Sequence, residues 1–286
     1  MIKVISAFKR KPGMALDAFT NYWRTTHAEA VKKVPGIRRY VQSQTIESGY
    51  RKGEPVYDGI AELWYEDPAA MHRGAATPEA RAALEDDENF IDMRSFATIL
   101  TEEVVQKDGP ANPSMVKLVE FVYRKPQMDV ESFQKYWREI HGPLAAKIPQ
   151  MRRYVQSHVR LSSYRDGRTP LCDGTAQVWF DGTDAMRESA KTAQYAATRA
   201  DEPNFYRSAA PTVHHHAGAG DYLSSLRVGL EPSEAVGAET TQLFGVELED
   251  HLGRRVAVGG LEPLEAHRDH LIIRVLAQQL LQVGLG

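Results

Sequence analysis

The chain has 286 residues, 42% of them hydrophobic and 26% charged, with a formal net charge of −3. This is the balance of an ordinary globular protein, and it gives no electrostatic footprint for a nucleic-acid partner. Cys172 is the only cysteine, which excludes an internal disulfide; no stretch reaches the roughly 18 apolar residues of a bilayer span, and the start shows no secretory leader, so a cytoplasmic home and no membrane partner are expected.

Residues 2–10 are β-rich. Residues 15–34 carry Phe19, Trp23, Ala30 and Val34 at helical spacing, and Pro35-Gly36 stops that helix. Residues 37–47 and 57–66 read as strands around a polar loop holding Gly49, Gly53 and Pro55. Residues 67–85 are Ala-rich and helical, opening on Asp67-Pro68 as cap and first turn. Residues 94–105 read as a closing strand. The same order then returns from Met115 to about His216. Tyr22-Trp23-Arg24-Thr25-Thr26-His27 comes back as Tyr136-Trp137-Arg138-Glu139-Ile140-His141. Arg38-Arg39-Tyr40-Val41-Gln42-Ser43 comes back as Arg152-Arg153-Tyr154-Val155-Gln156-Ser157, again 114 residues on. A period this long means two globular domains, since each unit can bury its own core.

The expected class is therefore α+β: two tandem ferredoxin-like βαββαβ units at 1–105 and 115–216, a linker at 106–114, and a C-terminal extension at 217–286. In Ile2 to Lys9 and Ile60 to Trp64 apolar residues occur on both faces, so something must cover the side away from the helices. The second sheet is the candidate, which predicts a barrel-like pseudo-dimer within one chain. The linker reaches roughly 30 Å when extended, enough for that placement. The extension contains no Lys and no Trp and matches nothing in the repeats. It reads as a poorly ordered tail or an interaction arm, and its removal should leave the repeats folded.

His27 follows Trp23 by four residues, and His141 follows Trp137 likewise, which puts each imidazole beside a buried stripe. An imidazole there is a natural proton shuttle; a satisfied core histidine has the same pattern. On the next strand Arg38, Tyr40 and Gln42 should share one face, as should Arg152, Tyr154 and Gln156, giving donors suited to a carbonyl or carboxylate. Asp58 and Asp173 each precede a glycine at a strand start and read as turn-ending residues rather than catalytic acids. Asp86 and Asn89-Phe90, matched by Asp201 and Asn204-Phe205, read as helix terminators. His214-His215-His216 alternates along an expected strand, so at most two imidazoles share a side and no metal site is expected. Cys172 has no activating neighbour in the sequence, and phosphate-loop signatures are absent.

Together, Tyr-Trp-Arg-x-x-His, the Arg-Arg-Tyr-Val-Gln-Ser run, residues Tyr57 to Tyr65 and the Asp86 to Phe90 segment resemble an EthD-type domain, in two copies. That resemblance implies the dimeric α+β barrel fold, with isomerases, cyclases and small monooxygenases among its relatives. It implies His27, Tyr40, His141 and Tyr154 as catalytic groups, no cofactor, and a small apolar or aromatic metabolite as partner. Trp23, Arg38, Gln42, Asp58 and their counterparts Trp137, Arg152, Gln156 and Asp173 would contact substrate. The leading expectation is cofactor-independent acid–base chemistry of the isomerase or cyclase kind. An oxidoreductase or accessory of oxidative degradation, and a non-catalytic binding module, are the alternatives. Repeat two departs from repeat one at Gln150, where Gly36 stands, and at Ala209-Ala210-Pro211.

Overall fold

The computed structural model describes residues 1–51, 53–207 and 238–243, the last six as backbone. Repeat one supplies strands β1 (Ile2–Arg10), β2 (Ile37–Thr45), β3 (Gly59–Tyr65) and β4 (Ile91–Lys107). Its helices are α1 (Leu16–Tyr22) and α2 (Ala28–Val31), joined by a π-helical turn at Trp23–His27, then α3 (Pro68–Ala75) and α4 (Pro78–Phe90). Repeat two gives β5 (Val116–Val122), α5 (Val130–Tyr136), a π turn at Trp137–His141, α6 (Gly142–Ala145), β6 (Arg153–Val159), β7 (Gly174–Phe180), α7 (Thr183–Ser189) and α8 (Ala193–Asp201). A last strand, β8 (Ala238–Leu243), comes from the extension.

The strands close into one barrel in the order β1-β3-β2-β8-β5-β7-β6-β4. The expected intramolecular pseudo-dimer is what forms. One junction is β4, which is longer than the expected 94–105. It pairs with β1 along its first part and with β6 from Thr101 to Lys107, taking two residues of the expected linker into the sheet. The other junction is β8, parallel to both β2 and β5. A strand of the extension thus stands in the wall between the two repeats. The rest of the extension lies outside the described residues, as do Ala209-Ala210-Pro211 and His214-His215-His216 at the end of repeat two.

Alternation along each strand sorts side chains between two cores. On β1, Val4 and Phe8 pack beneath the helices, while Ile5 and Ala7 face the barrel interior with Ile60, Ile99, Val119 and Val159. That interior is not purely apolar. Lys3 bonds Glu62 at 2.5 Å and Glu103 at 2.9 Å, and Lys117 is paired with the same Glu62. The two lysines occupy matching positions in the two repeats, but Gln177 stands where the second glutamate would. Gln177 donates to Glu62 at 2.8 Å and accepts from Lys3 at 2.9 Å. Lysine charges hold Glu62 far below the usual carboxylate range despite burial, and burial pulls Lys117 down to about 8. Two cations thus meet two carboxylates, with Glu103 of the long β4 supplying the second.

The single helix expected over 67–85 is two. Thr77 caps α4 by accepting from the Ala80 N–H, and Pro78 fills its first position, where no amide is needed. Asp67 and Pro68 start α3 in the same way, Asp67 accepting from Ala70 N–H at 2.7 Å. The break lets α4 run to Phe90, so Asp86 and Asp87 sit on a helix rather than after one. Gly36 ends the first helical segment at φ +87°, whereas Gln150 takes no left-handed conformation, so the corresponding turn differs in repeat two.

Candidate active site

Each repeat encloses a cavity between the outer face of its sheet and its helices. The first has a volume of about 140 Å³ and the second about 210 Å³. An aromatic ring fits a hole of about 150 Å³, so the first cavity is ring-sized and the second takes a ring with a short chain.

In repeat one the π turn carries Trp23 and His27 on one side, and both line the cavity. Short π segments are frequent at functional sites. Trp23 lies across the start of β3, where a methyl group on Gly59 would come within 2.6 Å of its ring. This accounts for glycine after Asp58, and the same holds at Gly174 under Trp137. Trp23 Nε1 donates to the Tyr40 hydroxyl at 3.0 Å. Gln42 Nε2 donates to that oxygen at 2.9 Å and to the Trp23 carbonyl at 2.8 Å. With two donors on its oxygen, Tyr40 has its own O–H left to donate into the cavity. Burial pushes that phenol well above its usual range, so it stays protonated.

His27 Nδ1 lies 2.9 Å from Asp86 Oδ2. Tyr22 donates to the other Asp86 oxygen at 2.6 Å, and so does Asn89 at 3.0 Å. Those donors keep Asp86 below the usual carboxylate range although partial burial opposes them. An ionised Asp86 can only accept, so His27 carries its proton on Nδ1. Nε2 is left with a lone pair, 3.5 Å from Asp87 Oδ1. Burial lowers the His27 pKa against the pull of Asp86. Burial, with the charge of Asp86, raises Asp87 well above its ordinary value. The result is a neutral imidazole beside a carboxyl whose protonated form is favoured by burial, both lining the cavity. Phe90, 4.7 Å from the imidazole, packs the ring in place.

Repeat two rebuilds this frame. His141 Nδ1 meets Asp201 Oδ2 at 3.0 Å, Tyr136 donates to Asp201 at 2.6 Å, and Gln156 reaches the Tyr154 hydroxyl at 3.1 Å and the Trp137 carbonyl at 2.8 Å. Its lining differs. Glu120, Arg199, Glu202 and Tyr206 stand where repeat one has Ser6, Leu84, Asp87 and Ile91.

Of the residues singled out in the sequence, His27, Tyr40, Trp23 and Gln42 come together in one network, as do His141, Tyr154, Trp137 and Gln156. Four do not join them. Arg38 is 62% exposed and faces Glu66. A β-bulge skips it in the β2–β3 register, so Ile37 rather than Arg38 shares the cavity face with Tyr40. Arg152 is likewise half exposed, on Asp181. Asp58 is fully buried away from the cavity, taking the Arg10 amide at 2.8 Å and the Tyr50 hydroxyl at 2.5 Å. Asp173 repeats that with the Arg124 amide at 2.8 Å and Tyr164 at 2.8 Å. Both pin a strand end to the loop before it. Cys172 is buried in the barrel core, and burial pushes its thiol well above the usual range. Asp86 reads in the sequence as a helix terminator, and its signal is present in the recurrence of Asp86 and Asn89-Phe90 as Asp201 and Asn204-Phe205; Asp87, replaced by Glu202 in repeat two, carries no such signal. Among the described residues, no cluster of three His, Cys, Asp or Glu is arranged to hold a metal ion.

The closed barrel of two βαββαβ units defines the class as a dimeric α+β barrel joined within one chain. The EthD domain profile matches residues 11–94 and 125–209, more than half of the sequence, and the chain belongs to that family. An EthD-family protein of Bacillus halodurans is 25% identical over 36% of this chain and 99% of its own, with a TM-score of 0.32. A putative monooxygenase of Fusobacterium nucleatum is 9% identical over 72% of this chain and 87% of its own, with a TM-score of 0.51. An anthrone oxidase-like protein is 11% identical over 72% of this chain and 86% of its own, also with a TM-score of 0.51. The last two share the fold. No curated protein matches significantly.

Proposed function

We propose that the chain is an enzyme that moves a proton on a small apolar or aromatic metabolite bound in the first cavity, without a metal or organic cofactor. The observation that carries this is the His27 arrangement. Nδ1 is fixed by Asp86, Nε2 is unprotonated, and a carboxylic acid, Asp87, stands beside it at 3.5 Å. The adjacent carboxyls Asp86, held below the ordinary range, and Asp87, held above it, are pushed apart, the pattern that separates a charged partner from an acid. His27 Nε2 takes a proton from carbon next to a carbonyl, and Asp86 stabilises the imidazolium that forms. Tyr40 donates its O–H to the oxygen where charge gathers, as an oxyanion-hole donor does. Asp87 returns a proton to the product. A wall of Val4, Phe8, Leu63 and Met71 suits an aromatic ring and excludes water.

The test is deuterium uptake. The protein is incubated in D₂O with a panel of aryl ketones and aryl lactones, and exchange at the position next to the carbonyl is followed by NMR. Accelerated exchange that vanishes in His27→Gln supports the assignment. Consumption that requires dioxygen would instead favour oxidation of the carbanion made by the same base. No exchange with any of the panel would overturn the proton-transfer reading.

A further inference from the structure

The second cavity has kept the histidine frame and changed its walls. Four polar or charged groups replace Ser6, Leu84, Asp87 and Ile91, and they do not all satisfy one another. Arg199 is bonded to Glu202 at 2.7 Å and accounts for that pair. Glu120, at the position of Ser6, makes no ion pair among the described residues. Burial raises its carboxyl above the usual range, Arg199 pulling the other way. Tyr206 is 94% buried; its hydroxyl lies close enough to Glu120 for the two to interact, burial and the Glu120 carboxyl both raising the phenol, but it is not in good hydrogen-bond geometry with that or any other described group. Arg187, at the position of His72, meets Asp184 through Nη1 at 2.5 Å, but its buried Nε and Nη2 have no partner. Asp184 is 90% exposed, so that pair is a weak surface one. A half-buried carboxyl, a buried phenol and two buried guanidinium nitrogens thus face one cavity of about 210 Å³, the phenol and the guanidinium nitrogens without good partners. Leaving such groups unmet is costly, and a ligand that meets them recovers that cost.

We propose that the second cavity is a binding site for a small zwitterion, with a protonated amine held by Glu120 and Tyr206, a carboxylate held by Arg187, and an apolar body of about one aromatic ring. The opposite charges of Glu120 and Arg187 fix the ligand's two charges. Arg187 is 79% buried, nearer the surface than Tyr206, which orients the carboxylate toward the entrance. The apolar remainder, with Leu118, Ile148 and Phe180 on its walls, takes the ring. This site is independent of proton transfer in the first cavity.

Calorimetric titration of the full chain with L-phenylalanine, phenethylamine and 3-phenylpropionate tests it. Phenylalanine should bind at least tenfold more tightly than either singly charged probe. Glu120→Gln, which keeps size, should weaken phenylalanine by about tenfold or more, as loss of a charged hydrogen bond does. Glu120→Ser imports the residue that repeat one carries and should do the same, and a melting curve for each variant establishes that it is folded. Arg187→Met should weaken phenylalanine and 3-phenylpropionate but leave phenethylamine unchanged. Equal affinity for phenylalanine and phenylpropionate, unchanged affinity in folded Glu120 variants, or no binding of any probe at millimolar concentration would overturn the proposal.

Discussion

The two cavities share a frame and differ in lining. In each, a π turn places tryptophan and histidine, a strand glutamine ties tyrosine to the tryptophan carbonyl, and an aspartate holds Nδ1 of the histidine. In the first, the walls are mostly apolar and Asp87 is the one carboxyl among the residues lining the cavity. In the second, Glu120, Arg199 and Glu202 bring charge to the same places. Identical chains in a homodimer must carry identical walls. Two repeats on one polypeptide are free to differ, and here the difference falls on residues that touch the cavity rather than on those that build it.

The sharpest way to break this comparison is at the histidines. His27→Gln keeps approximate size and hydrogen bonding but removes the titration. It should slow turnover by roughly 10²–10⁴-fold, the usual general acid–base contribution, with little change in melting temperature. His141→Gln should cost less, because its neighbours set a different charge around the imidazole. Steady-state kinetics of the exchange reaction decide, and full activity in the doubly substituted protein would remove both histidines from the mechanism.

The barrel interior offers a second asymmetry. Glu62 neutralises Lys117 and shares Lys3 with Glu103, whereas its counterpart Gln177 is neutral. Glu62→Gln leaves a buried lysine without a carboxylate and should cost about 3–5 kcal/mol. Gln177→Leu removes two hydrogen bonds to charged partners, Glu62 and Lys3, but leaves the charges balanced, and should cost about 1.5–3 kcal/mol. Urea unfolding measures both; equal losses would mean that the two halves share the charge evenly.

A third test concerns the glycines under the tryptophans. Gly59→Ala drives a methyl group against Trp23 and Phe8 side chains. Gly174→Ala meets Trp137 and also the Ser157 carbonyl at 2.6 Å, and backbone gives less than a side chain. Overpacking costs about 1–3 kcal/mol, with Gly174→Ala at the upper end and Gly59→Ala at the lower. The reverse order in thermal melts would show that the second half is the more compliant one.

Much of this was legible in the sequence because it was written twice. The repeat gave the two units, and apolar residues on both strand faces gave the barrel. Trp23, His27, Tyr40 and Gln42 were readable as a group because helix and strand periods place them. Arg38 was misplaced because a one-residue bulge reverses the face, and a bulge leaves no mark in period-two reasoning. Asp86 and Asp87 were passed over because helix α4 was ended too early; Thr77-Pro78 starts it late, so the Ala-rich run was counted as one helix. The ionic centre of the barrel was hidden for another reason. Lys3 and Glu62 look like surface residues in a strand until the opposing sheet is known to cover them.

The smallest effect expected is also the one that isolates the second lining. Glu202 stands where Asp87 does, but burial and the charge of Glu120 raise it to about 7, from an ordinary 4.5, against the pull of Arg199. A carboxyl whose pKa is raised on folding binds more protons in the folded state between those two values. Its contribution is therefore full below about pH 4.5 and is lost as pH rises to about 7. His27 and His141 act with the opposite sign: burial lowers both, so their contribution is lost as pH falls through the ordinary histidine range. The raw pH dependence of melting mixes the two. Subtracting the Glu202→Gln profile from the parent profile removes the histidines, which are common to both. The difference should show the parent losing stability relative to the variant from pH 4.5 to 7, on the order of 1 kcal/mol for a coupled carboxyl of this kind. A flat difference would mean that Arg199 keeps Glu202 ionised throughout, and that the second cavity carries one more negative charge at neutral pH than the first.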